Sequence, residues 1–518
     1  MEEHKNTQYR RPDETISLDE LKSFLWGAAT RLRGQIDAAG YKEYIFPLLF
    51  FKRISDVYDE QFEGFVAEGG EEYAGMQAAE LAIRIPDGAH WRDVREVTEN
   101  VGQRLAEAFI AIEQANPGEE ADGRVIGGLD GIFGPKDGWT NKNKMPDHII
   151  TSLIEDFSRY NLGLSSCPAD EMGQAYEYLV GKFADDAGNT AQEFYTNRTV
   201  VHLMTEMLKP EPGESIYDPT CGSAGMLISA IAYLKAQGKE WRNVAVYGQE
   251  INALTSAIGR MNLFLHGVKD FTIVNDDTLK NPAFIQNGQL QTFDLVLANP
   301  PYSISQWDRA AFESDKYGRN FLGVPTQRRA DFAFVAHILK SLNENSGRCA
   351  ILLPNGILNR YEESGMRIEM IKHDYVECVI GLGKNLFYNS PMEACILICR
   401  TKKTGKRIGN VLFINAVKLI HREGTYSFLS EDDIHAIADA YHDFCDKEGV
   451  SKTATIGEVL KNEGSLRVSR YVQNTSSDDS EDYTDEDVIN NWLEVSAQTH
   501  RSIDDVISLL NEGDRNDS

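Results

Sequence analysis

Phe293-Asp294-Leu295-Val296-Leu297-Ala298-Asn299-Pro300-Pro301-Tyr302 is an apolar, β-prone run that ends in a polar residue, two prolines and an aromatic. The pattern predicts a buried parallel strand stopping at a rigid rim. Successive prolines fix φ and lack N–H donors, while their carbonyls stay free to accept. The Asn299 side-chain oxygen and the Pro300 carbonyl can together accept from one planar NH2 group. Pro301 stiffens the rim, and Tyr302 offers a face on which a flat, extruded ring can stack. An ordinary strand-to-loop turn has the same four letters, so the flanking chain must discriminate.

Upstream, Tyr217-Asp218-Pro219-Thr220-Cys221-Gly222-Ser223-Ala224-Gly225 follows a predicted strand and precedes a predicted helix. Gly222 and Gly225 permit a tight turn and close approach of backbone to a ligand, with Cys221 and Ser223 in the same loop. Asp218, at the strand end, can reach the ammonium of an amino-acid-like cofactor. The pattern is not Gly-x-Gly-x-x-Gly and no Walker lysine follows, which disfavours NAD and ATP. The next strand ends in Val246-Tyr247-Gly248-Gln249-Glu250, placing Glu250 where doubly wound folds hold a ribose-hydroxyl acceptor. A third runs into Asn275-Asp276-Asp277, where Asp277, in preference to Asp276, can accept from a cofactor adenine's exocyclic amine. Earlier still, Glu193, Phe194, Tyr195, Thr196, Asn197 and Arg198 lead into a helix from Thr199 to Leu208. Aromatic rings and hydroxyls ahead of a helix N-terminus can close over a cofactor's carboxylate. Singly, each segment also reads as a structural turn, a cap or a solvated charge.

Seven strands are expected: Ser215 to Tyr217, Val244 to Tyr247, Phe271 to Val274, Leu295 to Ala298, Arg348 to Leu353, Val376 to Gly381 and Ala394 to Arg400. They alternate with helical segments, as in a parallel sheet wrapped by helices. Residues 1–160 read as a mainly helical domain, with strand-like pattern only near Ile83 to Ile85. Its first fifteen residues are polar and expected to be disordered. Ser17 and Glu20 have capping-box spacing, and a second helix is expected from Lys42 to Glu60. The α/β domain spans 161–420. From about Lys418 the chain turns polar and helical, so 421–518 reads as a helical C-terminal region and tail. There an acidic linker (473–487) precedes two short amphipathic helices, or one interrupted helix, around Trp492 and Ile507, whose apolar faces suit self-packing or a partner.

The 518 residues are 42% hydrophobic and 25% charged, a globular profile. No apolar run approaches the ~20 residues needed to span a bilayer, and the seven cysteines are scattered with no C-x-x-C pair. A reduced, cytoplasmic setting is expected. The formal net charge is −28. A chain with this balance is expected to bind DNA poorly by itself, with a basic partner supplying much of the grip; a local basic patch stays open, and a DNA substrate is not excluded.

Together these segments resemble the amino-methyltransferases of the γ type, and most specifically the modification (HsdM) subunits of type I restriction–modification systems. Tyr176 to Ala184, Ala330 to Phe334, Leu353 to Leu358 and Asn385 to Tyr388 extend the resemblance over nearly the whole chain. Asn197 stands where the family usually has proline, and Ala224 where glycine is frequent. The resemblance implies a doubly wound, Rossmann-like methyltransferase domain flanked by a helical N-terminal domain and a helical C-terminal tail. It implies S-adenosylmethionine as methyl donor and the N6 amine of adenine in DNA as acceptor. It also implies a separate specificity subunit, a motor-nuclease restriction subunit and two copies of this chain per complex.

Chemically, two acceptors on Asn299 and Pro300 can favour a tetrahedral amine nitrogen and align its lone pair with a sulfonium methyl. That displacement needs neither a covalent cysteine nor a metal, and no histidine spacing suggests a ligand set. Ser303 to Arg329, with five cations, is expected to be a mobile loop near the site. Asn-Pro-Pro-Tyr also suits the amines of cytosine N4, RNA and protein glutamine, and a non-catalytic scaffold could keep the fold. The intact set Asp218, Glu250 and Asn299 argues against a scaffold.

Overall fold

Ser17 and Glu20 form the reciprocal cap their spacing predicts. The Glu20 N–H donates to the Ser17 hydroxyl at 3.4 Å, and the Ser17 N–H to the Glu20 carboxylate at 3.1 Å, starting a helix over Leu18–Thr30. This computed structural model describes residues 16–32, 36, 40–81, 83–121, 124–126, 128–186, 196–384, 386, 393–423 and 426–472. The polar N-terminus and the tail from 473, with its acidic linker and amphipathic segments, lie outside them.

The second helix is longer than expected, Lys42–Ala78, with a break at Gly70 (φ +82°). Every residue from Tyr44 to Ser55 is buried, the mark of a core helix rather than a surface one. Its buried cations find acceptors: Lys52 pairs with Asp56, and Arg53 donates to the Gly163 and Cys167 carbonyls at 3.0 and 2.7 Å. Helices Val101–Ala115, Asp147–Phe157 and Ala169–Asp186 pack around it. Ile83 to Ile85 is not a strand; a hairpin of Glu119–Ala121 with Arg124–Ile126 forms instead.

The α/β part is built on a sheet of nine strands: β1 Ser215–Asp218, β2 Ala245–Glu250, β3 Phe271–Asn275, β4 Leu295–Ala298, β5 Arg348–Pro354, β6 Val376–Leu382, β7 Ala394–Arg400, β8 Asn410–Ala416 and β9 Ser451–Thr455. Their order is β9-β8-β6-β7-β5-β4-β1-β2-β3. β1 to β5 run parallel, but β7 is antiparallel to both β5 and β6, and β9 to β8. From Leu382 the chain returns to Ala394 in the antiparallel sense, and β7 inserts between β6 and β5. β8 and β9 were not among the expected strands. The segment after Lys418 is not simply helical: it holds a hairpin of His421–Glu423 with Tyr426–Phe428, the helix Glu431–Asp443, and then β9. β9 is a polar edge strand (Ser451-Lys452-Thr453-Ala454-Thr455), and its weak apolar signal hides it.

Leu295 and Leu297 face one helical layer, Val296 and Ala298 the other, and all four are fully buried. Helices Arg198–Leu208, Gly225–Ala236 and Glu431–Asp443 cover the first face; Asp331–Lys340 and Ser364–Lys372 cover the second. From β1 the sheet grows one way to β2 and β3 and the other way to β4. Open α/β sheets bind ligands at such a reversal, outside the carboxyl ends of the strands. The Asp218–Gly225 loop and Asn299–Tyr302 leave the sheet there.

Candidate active site

The Asn299 amide is held at both ends. Its Nδ2 donates to the Thr196 hydroxyl at 2.8 Å, and its Oδ1 accepts from the Tyr302 hydroxyl at 2.7 Å. The acceptor expected to be open is therefore half engaged: a carbonyl oxygen has two lone pairs, and Tyr302 takes one. Burial pushes the Tyr302 hydroxyl's pKa well up, so it stays a donor. Ser303, next in the chain, sits in the left-handed region (φ +51°), which non-glycine residues rarely occupy. Its N–H donates to the buried Asp331 carboxylate at 2.8 Å, and Arg360 binds the other Asp331 oxygen at 3.0 Å. Those bonds fix the chain as it leaves the rim.

Across the reversal, Gly222 (φ +53°) and Ala224 (φ +65°) turn the chain from β1 into its helix. Gly259, on the helix Ala253–Leu265, lets that helix approach: a Cβ there would lie 2.8 Å from the Gly222 carbonyl oxygen. Asp218 is 2% exposed, and its Oδ1 accepts from the Thr220 N–H at 2.9 Å. Burial pushes its carboxyl up to about 7, against the Thr220 bond and with added repulsion from Glu250. Glu250 clasps the loop from β2, accepting from the N–H groups of Gly222 at 3.1 Å and Asn252 at 2.8 Å. Asp277 Oδ1 accepts from Leu279 and Lys280 N–H at 2.9 and 3.2 Å, closing the turn after β3.

One cavity of 1110 Å³ joins these parts. Asn299, Pro300, Pro301, Tyr302, Thr196, Arg198, Asp218, Cys221, Gly222, Ser223, Glu250 and Asp277 all line it, and so does Asp276. Asn197 does not. It is buried as the cap of the helix Arg198–Leu208, accepting from the Thr199 N–H at 3.0 Å and donating to the Ser427 carbonyl at 2.7 Å. Its short polar side chain caps the helix end. Arg198 pairs with Glu177 at the wall. Glu193, Phe194 and Tyr195 lie outside the described residues, as do Asn385, Phe387 and Tyr388. Sequence reasoning missed Ile251, Trp307 and Phe334, which add apolar surface. Ile251, 67% exposed directly after Glu250, carried a usable signal: an apolar residue beside a strand-end carboxylate.

The segment after Tyr302 is built structure rather than a free basic loop. Arg319 is buried, pairs with Asp315 at 2.6 Å and donates to the Thr278 and Leu279 carbonyls, both at 2.9 Å. Trp307 of the same segment reaches the cavity. Burial raises the Cys221 thiol well above its usual pKa, leaving it un-ionised. Among the described residues no cluster of His, Cys, Asp or Glu is arranged to hold a metal, and no helix is long and apolar enough to cross a membrane.

The lining suits an adenosyl amino acid: a buried carboxylate at one strand end, a second at the next, and a bare glycine turn between them. Comparison with known proteins points the same way. Residues 168–480 match the family model described as N-6 DNA Methylase, and residues 21–157 match the HsdM N-terminal domain. The MjaVIII type I restriction enzyme methylase subunit of Methanocaldococcus jannaschii is 31% identical over 90% of this chain and 80% of its own length. The HindI methylase subunit of Haemophilus influenzae is 30% identical over 76% of this chain and 91% of its own. A type I restriction–modification methyltransferase subunit from Streptococcus thermophilus superposes with a TM-score of 0.74 at 27% identity, covering 88% of this chain and all of that one. The reaction of this family is methyl transfer from S-adenosylmethionine to the N6 amine of adenine in DNA. With more than half its length matched by that model, the chain belongs to the N-6 DNA methylase family, among the modification subunits of type I restriction–modification systems.

Proposed function

We propose that Asn299 Oδ1 and the Pro300 carbonyl accept both protons of the N6 amine of an adenine turned out of duplex DNA. The observation that carries this reading is the fixed Asn299 amide. With Nδ2 committed to Thr196, only its oxygen end can face an amine. Tyr302 gives up its bond to that oxygen and stacks on the entering ring, offsetting part of the few kcal/mol that base extrusion costs. The two acceptors draw the nitrogen toward tetrahedral geometry and take up the developing positive charge. S-adenosylmethionine supplies the methyl group on a sulfonium. Asp218 receives its ammonium, Glu250 its ribose hydroxyls and Asp277 its adenine amine, while Gly222 and Ser223 line its path.

Sequence readout belongs to a separate specificity subunit, with two copies of this chain per complex and a motor-nuclease subunit added for cleavage, in the cytoplasm. The relatives' description as type I restriction enzyme subunits supports this, and so does the net charge of −28, which weakens autonomous DNA binding. Asn299→Ala is expected to abolish adenine methylation while leaving S-adenosylmethionine affinity within a few-fold. Equal loss of both, measured by calorimetry and labelled-methyl transfer, would remove the assigned role.

A further inference from the structure

A second cleft, of 620 Å³, opens beside the catalytic rim. Arg329, Arg360, Lys384 and Arg467 line it with Asn355 and Glu393. Ser303, the residue after Tyr302, forms part of its wall, so the cleft begins where the rim ends. Four cations against one carboxylate run counter to a chain of net charge −28. Two of them are committed. Arg360 is held by Asp331 at 3.0 Å and Glu363 at 3.1 Å, and Arg329 reaches Glu362 at 3.0 Å. The other two are available. Lys384 approaches Glu393 only to 3.8 Å with its side chain 66% exposed. Arg467 is exposed and makes no side-chain hydrogen bond or ion pair among the described residues. Next to Arg360 in the chain, though not in the cleft's lining, Tyr361 stands 91% exposed.

Exposed cations with an exposed aromatic fit a polyanion whose rings and phosphates alternate. We infer that this cleft seats the sugar–phosphate backbone of DNA flanking the everted nucleotide, with Lys384 and Arg467 meeting phosphates. The inference rests on the DNA-methyltransferase reading of the neighbouring rim. Eversion swings the backbone toward the rim, and an acidic chain needs local cations where that backbone arrives. Arg360, pinned by the carboxylate that also holds Ser303, ties the cleft to the geometry of Tyr302.

The test uses the full chain saturated with S-adenosylmethionine and, at low salt, an adenine-containing duplex, comparing wild type with Lys384→Gln, Arg467→Gln and the double variant. Each substitution is expected to lower the slope of log Kd against log salt by about 0.9 and to weaken duplexes of unrelated sequence equally. A neutral methylphosphonate at the contacted position weakens wild-type binding and has no further effect on the double variant. Unchanged slopes, with cofactor binding and methyl transfer retained, overturn the cleft and leave the catalytic reading standing. A wild-type chain that binds no S-adenosylmethionine removes both. An acidic peptide competing at the cleft without any methylphosphonate effect would reassign it to a protein partner.

Discussion

Asp218 is a carboxyl whose pKa burial pushes well above the ordinary carboxylate range. Its folded pKa, about 7, stands above the usual 3.8, so between those values the folded chain keeps a proton that the unfolded chain has lost. Stability from this group is therefore greatest at acid pH and falls as pH rises toward 7. With Asp218 as the proposed partner of the cofactor ammonium, cofactor binding has the opposite sign, because an ammonium favours the ionised form. S-adenosylmethionine affinity is expected to climb by as much as about tenfold per pH unit below ~7 and to level above it. Asp218→Asn should bind weakly and show no such climb. Calorimetry across this range checks it, and a parallel slope in wild type and variant would exclude the pairing. Much of this residue's setting is legible in sequence: a strand end, an acid, then glycines. Its burial within the field of Glu250 is not, because the two carboxyl groups share one end of the sheet only when β1 and β2 pair in register.

At the level of elements, the rim is supported by the segment that follows it. Arg319 reaches from that segment to the turn carrying Asp277, and its ion pair with Asp315 is almost wholly buried, at 3% and 4% exposure. Removing one partner strands a buried charge, so Arg319→Ala is expected to cost about 3–5 kcal/mol. It should also lower cofactor affinity through the loosened Thr278–Leu279 turn. Arg319→Lys should not rescue either property, since an ammonium cannot reproduce the forked geometry. Urea unfolding measures the first effect, and a loss below ~1 kcal/mol would show that the clasp is incidental. In the sequence this segment reads as a basic loop because cations normally signal solvent. The compensating carbonyls and Asp315 turn inward only once the fold brings β3's turn alongside. The strands are better marked. β4, β5, β6 and β7 are apolar runs whose burial on both faces leaves little room for another reading. β9 fails that test because an edge strand needs only one apolar face.

Across the whole molecule, the helical N-terminal part and the part built on the sheet share one buried cluster. Ile258, Met261 and Leu265, on a helix of the α/β part, belong to the same buried cluster as Phe46, Phe50 and Phe109. The Tyr176 hydroxyl donates to the Ile258 carbonyl at 3.2 Å, and Arg260 donates to the Asp130 carbonyl at 2.8 Å. Gly259, between these anchors, is the glycine that lets its helix touch the Asp218–Gly225 loop. The helical N-terminal part thus braces the helix that braces the loop. A chain begun at residue 161 would expose the rings and aliphatic groups of that shared cluster, at roughly 25 cal/mol for each Å² returned to water. It is expected to aggregate, and any monomeric fraction to bind S-adenosylmethionine at least tenfold more weakly than the full chain. The full chain should unfold through this shared core in one transition, with the N-terminal helices and the sheet melting together. Size-exclusion chromatography, calorimetric melting and cofactor titration test the three expectations. A soluble fragment with undiminished cofactor affinity would mean that the Asp218–Gly225 loop keeps its shape without the helices behind it.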